Sequence, residues 1–332
     1  MKIYLCDKIA SSFYHVGHRL YRDLATLYYL QGIDTTSNIE SRFDYAHFVD
    51  ISQRKEIIYC KDRLKKKVVI DYFVDKKKIK NVDLKDIVIP LDDRRILNKC
   101  DLVIVCCQAD KMVLISNNIK TPIEIMSLPV SEERFSNISN LEKNAFIQYA
   151  GLVKNEDFAI SMTTYKDSQD IQDLIELANR FKNMKFFVFG PRRGFFTTPA
   201  KIKRLVKHSP DNIVFKSYTS EDIFKSAMLL SKFFIATRNS NVELLTVLEA
   251  MITKTQIFTF NTHYIGDVLV DNDNCLVAED VEDMYELILN YSEETSTIDR
   301  AYEYAKTCSY DTTSVMLKKI LSNYVELNET QE

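Results

Sequence analysis

Residues 212–237, NIVFKSYTSEDIFKSAMLLSKFFIAT, hold one complete unit of a layered α/β fold. NIVFKS (212–217) is a short β-branched and aromatic run, the stretch 220–231 spaces its apolar residues for one face of a helix, and KFFIAT (232–237) is apolar again. Two short strands joined by a helix run parallel, because the helix carries the chain back along the sheet before the next strand begins. The same alternation extends outward. Toward the C-terminus it predicts strands at 255–261 and 275–280, helices at 241–253 and 281–293, and two more helices from about 296 onward. Toward the N-terminus it predicts strands at 184–190 and 146–152 and a helix at 168–182. The first half repeats the plan with strands at 2–6, 46–51, 67–73, 101–107 and 122–127. A helix from about Gly17 to Leu30 places Leu20, Leu24, Leu27 and Tyr28 on one face, and VIVCC (103–107) is apolar throughout, as in a strand covered on both sides. The polar stretch SEERFSNISNLEKN (131–144) reads as a linker. Two doubly wound, Rossmann-like domains are therefore expected, 1–140 and 141–332, facing a central cleft, with the final helix packing back on the first domain. Such a layout puts ligands at the strand C-termini.

Composition narrows the function. The chain has 332 residues, 46% hydrophobic and 27% charged, with a net charge of −3, so a disulfide-stapled scaffold, a disordered chain and a basic nucleic-acid coat are all excluded. There are only six glycines, against an average usage of about 7%, and neither G-x-G-x-x-G nor a P-loop occurs. Classical dinucleotide folds and kinases are not supported. Seven cysteines without C-x-x-C spacing read as buried thiols, and five scattered histidines, with His15 and His18 the only close pair, suggest no protein-bound metal. No apolar run reaches membrane-spanning length, and MKIYLC opens as a strand, so a cytoplasmic protein is expected. Residues 1–140 carry 23 Lys/Arg and 19 Asp/Glu, and most of the excess lies between Arg54 and Lys99. That basic window reads either as a solvated face or as a face held against anionic headgroups at the inner surface of the membrane.

The second half resembles the nucleotide-sugar domain of GT-B glycosyltransferases of family 4, in particular the short Gram-positive type that glucosylates diacylglycerol. QYAGLVKNED (148–157) is similar to the family's first strand and phosphate-facing turn, IELANRFKNMKFFVFG (175–190) to the next helix and strand, and VELLTVLEAM (242–251) with HYIGDVLVDNDNCLVAED (263–280) to the donor-binding end. HVGHR (15–19), YLQGI (29–33), DYAHFVD (44–50) and LPVSEERF (128–135) match the acceptor domain more loosely. The resemblance implies retaining transfer of a hexose from a UDP-sugar to a lipid or cell-envelope glycan. No cofactor beyond the nucleotide-sugar donor is implied.

It also implies a site. Glu249, between Leu248 and Ala250 in an apolar helix, is either the ribose-binding carboxylate or a capped structural glutamate, since a buried carboxylate needs hydrogen bonds. The family's second glutamate, eight positions earlier, is here Asn241, which would still bond the donor sugar; Glu243 is a weaker substitute because helix rotation points it elsewhere. Gly151 and Lys154 would face the diphosphate, with Arg192 and Arg193 of GPRRG either supplying further cations or forming a solvated turn. Gly17 would admit the phosphates beside Arg19, the alternative being a helix N-terminal turn with a surface arginine. The family's histidine after the third strand is replaced by Phe73, near Asp71 and Asp75. Asp271 and Asp273 read as turn formers rather than as a D-x-D metal motif. These departures leave a second reading, a catalytically degenerate homologue acting as a partner subunit of an active transferase, and a third, a nucleotide-sugar epimerase.

Overall fold

The structure, a computed structural model, describes residues 1–6, 14–74, 84–153, 156–163, 165, 167–190, 198–217, 221–237, 243–261, 267–292 and 295–326. The chain divides into two compact units, one formed by Met1–Pro129 with the segment from Cys308, the other by Val130–Thr307.

The first unit is built on β1 (Lys2–Cys6), β2 (Asp34–Thr36), β3 (Tyr45–Phe48), β4 (Lys67–Asp71), β5 (Leu102–Val105) and β6 (Ile123–Ile125), in the spatial order β2-β1-β3-β4-β5-β6. Every pairing is parallel. β1, β3 and β5 are buried almost throughout, which accounts for their continuous apolar runs. β2 is a polar three-residue edge strand, and its DTT sequence carries no strand pattern. The crossover helix Tyr14–Leu30 buries Leu20, Leu24, Leu27 and Tyr28. Tyr28 Oη lies 2.6 Å from Nδ1 of buried His47, whose Nε2 is in turn 3.2 Å from Asp71, and burial pushes the Tyr28 hydroxyl well above its ordinary pKa.

The helix Tyr310–Leu321 belongs to this first unit. Tyr310 donates to Asp23 at 2.6 Å, Gln31 to the carbonyl of Ser314 at 3.1 Å, and Tyr324 to Glu124.

The second unit carries β7 (Phe158–Met162), β8 (Lys185–Gly190), β9 (Ile213–Ser217), β10 (Phe233–Ala236), β11 (Gln256–Phe260) and β12 (Leu276–Ala278) in the order β12-β11-β10-β7-β8-β9, again all parallel. The predicted strand at 146–152 is corrected: those residues fall in and just after the helix Asn140–Ala150, and the first strand of the sheet is FAISM, 158–162. The reason is local. Ser139 and Glu142 form a capping box that starts a helix inside the stretch read as a linker, and Gly151, at φ 62°, ends it in the left-handed region with its N–H on the carbonyl of Gln148. Phe146 then packs tilted against Phe158 and edge-on against Phe187, tying this helix to the sheet.

All seven cysteines are buried and unbridged, and burial pushes the Cys60, Cys100 and Cys275 thiols up to about 12. Among the described residues no helix is long and apolar enough to cross a membrane.

Gly190 closes β8 where the backbone of β7 passes next to it: a Cβ there would lie 2.3 Å from the Thr163 carbonyl and 2.6 Å from the Tyr165 ring. Gly190→Ala is expected to destabilise the second unit by about 1–3 kcal/mol through overpacking. Urea unfolding measures this, and an unchanged midpoint would mean that the ends of β7 and β8 separate freely.

Candidate functional site

In the second sheet the chain runs outward from β7 through β8 and β9, then returns to place β10 on the other side of β7. The point where strand order reverses, between the C-termini of β7 and β10, is where an open α/β sheet leaves a crevice for a ligand. Thr163 follows β7 there. It is fully buried, its N–H donates to the carbonyl of Phe189 at 2.9 Å, and its hydroxyl has no hydrogen-bond partner among the described residues. Tyr165 braces the neighbouring strands by donating to the carbonyls of Val188 and Lys216.

The helix Glu243–Ile252 follows β10 and is almost wholly apolar. Thr246 contacts the sulfur of Met162 at the end of β7 at 3.3 Å, so one face of this helix lies against the reversal point. Glu249 is 1% exposed, and Arg134 donates from Nη1 to its Oε1 at 2.8 Å. The same guanidinium donates from Nε to Glu221 at 2.9 Å, and Lys225 stands 3.3 Å from Glu221. Glu221 opens the helix that follows β9, so the network sits toward the strand C-termini. Among the described residues it joins two carboxylates and two cations. A buried carboxylate deprived of such a partner typically costs about 3–5 kcal/mol.

Of the residues expected at the site, Glu249 lies three positions beyond Thr246 on the helix whose one face meets the end of β7. Glu243 is the first residue of the same helix, six positions earlier. Gly151 is corrected: its carbonyl accepts from Lys185 at the start of β8, so it lies at the N-terminal edge of the parallel sheet, opposite the crevice. Asn241, Lys154, Arg192 and Arg193 lie outside the described residues. Gly17 and Arg19 belong to the first unit, Gly17 within the helix Tyr14–Leu30 rather than a loop, and Arg19 buried rather than on the surface. Asp271 accepts from the N–H of Val277, and Asp273 pairs with Arg300 at 2.7 Å, which is turn and ion-pair chemistry.

Arg134, Glu221 and Thr163 were not anticipated. Arg134 was hidden in a stretch read as a linker, and Thr163 follows a strand that the preceding apolar helix obscured. Among the described residues, Cys106, Cys107 and Asp110 gather in the first unit with their ligand atoms within 4.8 Å of one another, all buried, a group with metal-ligand chemistry. The Cys106 thiol donates to Asp110 at 3.6 Å.

No family model matches the chain. It is 21% identical to the processive diacylglycerol alpha-glucosyltransferase of Acholeplasma laidlawii over 68% of its own length and 69% of that protein. Its structure is similar to Anabaena Alr3699/HepE, solved with UDP and glucose, with a TM-score of 0.71 at 12% identity, covering 97% of this chain and all of the other. It is also similar to sucrose-phosphate synthase from Thermosynechococcus elongatus, with a TM-score of 0.76 at 9% identity, covering 99% and 100%. With its two parallel six-stranded units, the chain has the GT-B glycosyltransferase fold.

The ion pair predicts a strong coupling. Arg134→Met alone is expected to cost about 3–5 kcal/mol, and adding Glu249→Gln should restore much of it, with an interaction energy of about 2–3 kcal/mol in a double-mutant cycle by chemical denaturation. Simple additivity would mean that the two groups are not paired in solution.

Proposed function

We propose that this protein is a retaining glycosyltransferase of family 4 type that moves a hexose from a UDP-activated donor to a lipid or cell-envelope glycan acceptor. The observation that carries the reading is Glu249, a buried and counter-charged carboxylate on the helix after β10, beside the reversal point of a GT-B sheet. A carboxylate in that position accepts hydrogen bonds from a vicinal diol such as ribose, and charge-assisted bonds of this kind are the strong ones. The same helix begins at the strand C-termini, so the positive end of its dipole lies toward the crevice, where a diphosphate is favoured. Departure of the nucleoside diphosphate needs its developing charge stabilised. Arg192 and Arg193, directly beyond β8, are assigned that task, and Asn241 is assigned a hydroxyl of the donor sugar, with Glu243 in reserve. No metal is required for this chemistry when cations carry the charge. The names of the similar proteins, one a glucosyltransferase and one bound to UDP and glucose, favour a UDP-hexose donor.

The acceptor reading assigns the membrane-facing role to the first unit, held at the inner face of the membrane. The exposed residues Val88, Leu91, Met112 and Ile115 support it. Asn117 pins the flanks of Val88 through Ile87 and Ile89, next to the helix Gln108–Ser116 that carries Met112 and Ile115 three residues apart. Lys111 supplies positive charge from the same helix, and Arg95, 3.7 Å from Asp92, from the helix Leu91–Leu97 that begins at Leu91. A second reading, a non-catalytic partner of an active transferase, is favoured by Asn241 and Phe73 standing where the resemblance implies a glutamate and a histidine.

Calorimetric titration with UDP and UDP-glucose separates the two. Micromolar binding, weakened at least tenfold by Glu249→Ala in a protein that keeps its circular dichroism, is the expected result; absence of any nucleotide binding favours the partner-subunit reading. Co-sedimentation with phosphatidylglycerol vesicles is expected to exceed that with phosphatidylcholine vesicles and to fall on Met112→Ser/Ile115→Ser substitution. Equal sedimentation with both would remove the membrane role.

A further inference from the structure

We propose that Arg134 is a positioning residue: by holding the Glu249 carboxylate, it sets how strongly the ribose of the donor is distinguished from a sugar lacking its hydroxyls. The inference rests on the reading of Glu249 as the ribose acceptor. Glu249 projects from an apolar helix among Leu245, Leu248, Ala250 and Ile252, none of which offers a hydrogen bond from its side chain. A glutamate side chain has three rotatable bonds, and a bidentate diol acceptor needs its carboxylate plane held in one orientation. Arg134 supplies that restraint from outside the helix. Its planar guanidinium is gripped at two points, Nη1 on Glu249 at 2.8 Å and Nε on Glu221 at 2.9 Å, so it cannot turn without breaking one of them. Glu221 is held in turn by Lys225 at 3.3 Å, and the Arg134 side chain is only 14% exposed. The result is a chain of fixed charges running from one helix to the next and ending at the carboxylate.

Arginine is needed because two separate carboxylates are served by two N–H groups in one plane. A lysine presents a single ammonium head and serves one carboxylate well. Replacement by lysine therefore keeps the charge and loses part of the orientation, whereas replacement by glutamine loses both.

The test compares binding of UDP with that of 2′,3′-dideoxy-UDP by calorimetry, in wild type, Arg134→Lys and Arg134→Gln, with Glu249→Gln as reference. Wild type is expected to favour UDP by roughly 10- to 100-fold, the gain from hydrogen bonds to a charged acceptor. That ratio should fall at least threefold in Arg134→Lys, and to about the Glu249→Gln value in Arg134→Gln. A purely structural arginine would weaken both ligands alike and leave the ratio unchanged, so a wild-type ratio in Arg134→Gln overturns the proposal. If Arg134→Gln does not fold, a wild-type ratio in Arg134→Lys does the same. A wild type that binds UDP without discriminating, or does not bind it, overturns the reading of Glu249 itself and this inference with it.

Discussion

The pairing of β10 against β7, Phe233 beside Ala159 and Phe234 beside Ile160, is the contact on which the arrangement of the second unit depends. Because β8 and β9 have already occupied one flank of β7, β10 must take the other, and the order of strands reverses there. Parallel pairing puts all the strand C-termini at one edge, so the ends of β7, β8 and β10 and the start of the helix after β10 lie along one crevice. The sheet can afford this only because both of its faces are covered: Phe158 and Phe187 pack under the helix Asn140–Ala150, and Phe233 and Phe258 stack edge-on with Tyr291 on the other side. A site so built has rigid walls, and its chemistry depends on the few polar groups that reach it.

Those polar groups obey a strict electrostatic condition. Beside the crevice, charge enters the interior of the second unit as a network, with Glu249 and Glu221 shared by Arg134 and Lys225, since single buried charges are costly and paired ones tolerable. The first unit treats its charge differently. Much of the basic window that stands out in the sequence is spent on local pairing: Arg54 with Asp93 at 2.6 Å, Lys61 with Asp101 at 2.8 Å and Lys99 with Asp62 at 2.9 Å. These partly exposed pairs offset only part of the window's charge, so any attraction to an anionic surface draws on its other basic residues together with the exposed apolar side chains beside it.

Most of the layered architecture was legible from residue pattern. Buried parallel strands must be apolar on both faces, so runs such as VIVCC and KFFIAT announce themselves, and amphipathic helices such as Ser168–Arg180 have the spacing to match. Two kinds of element escaped. β2 is too short and polar to show a pattern, because an edge strand can be made by backbone bonding alone. The helix Asn140–Ala150 has only Phe146 buried, so its apolar residues follow no clear period, and the Ser139–Glu142 capping box inside a polar stretch was a better indicator than hydrophobicity.

For the site, the sequence by itself determined that Glu249 is a carboxylate in an apolar helix and that such a group must find a partner. It also determined the strand-helix alternation that makes both sheets parallel. The tertiary structure alone decided that Arg134, 115 residues away in sequence, is a partner, and that Gly151 lies at the wrong edge of the sheet to face a phosphate. The physical reason is the difference in range. Periodicity and capping act over one or two turns and are written in neighbouring residues, whereas an ion pair between helices and the edge at which a turn emerges depend on strand order, which no local pattern encodes.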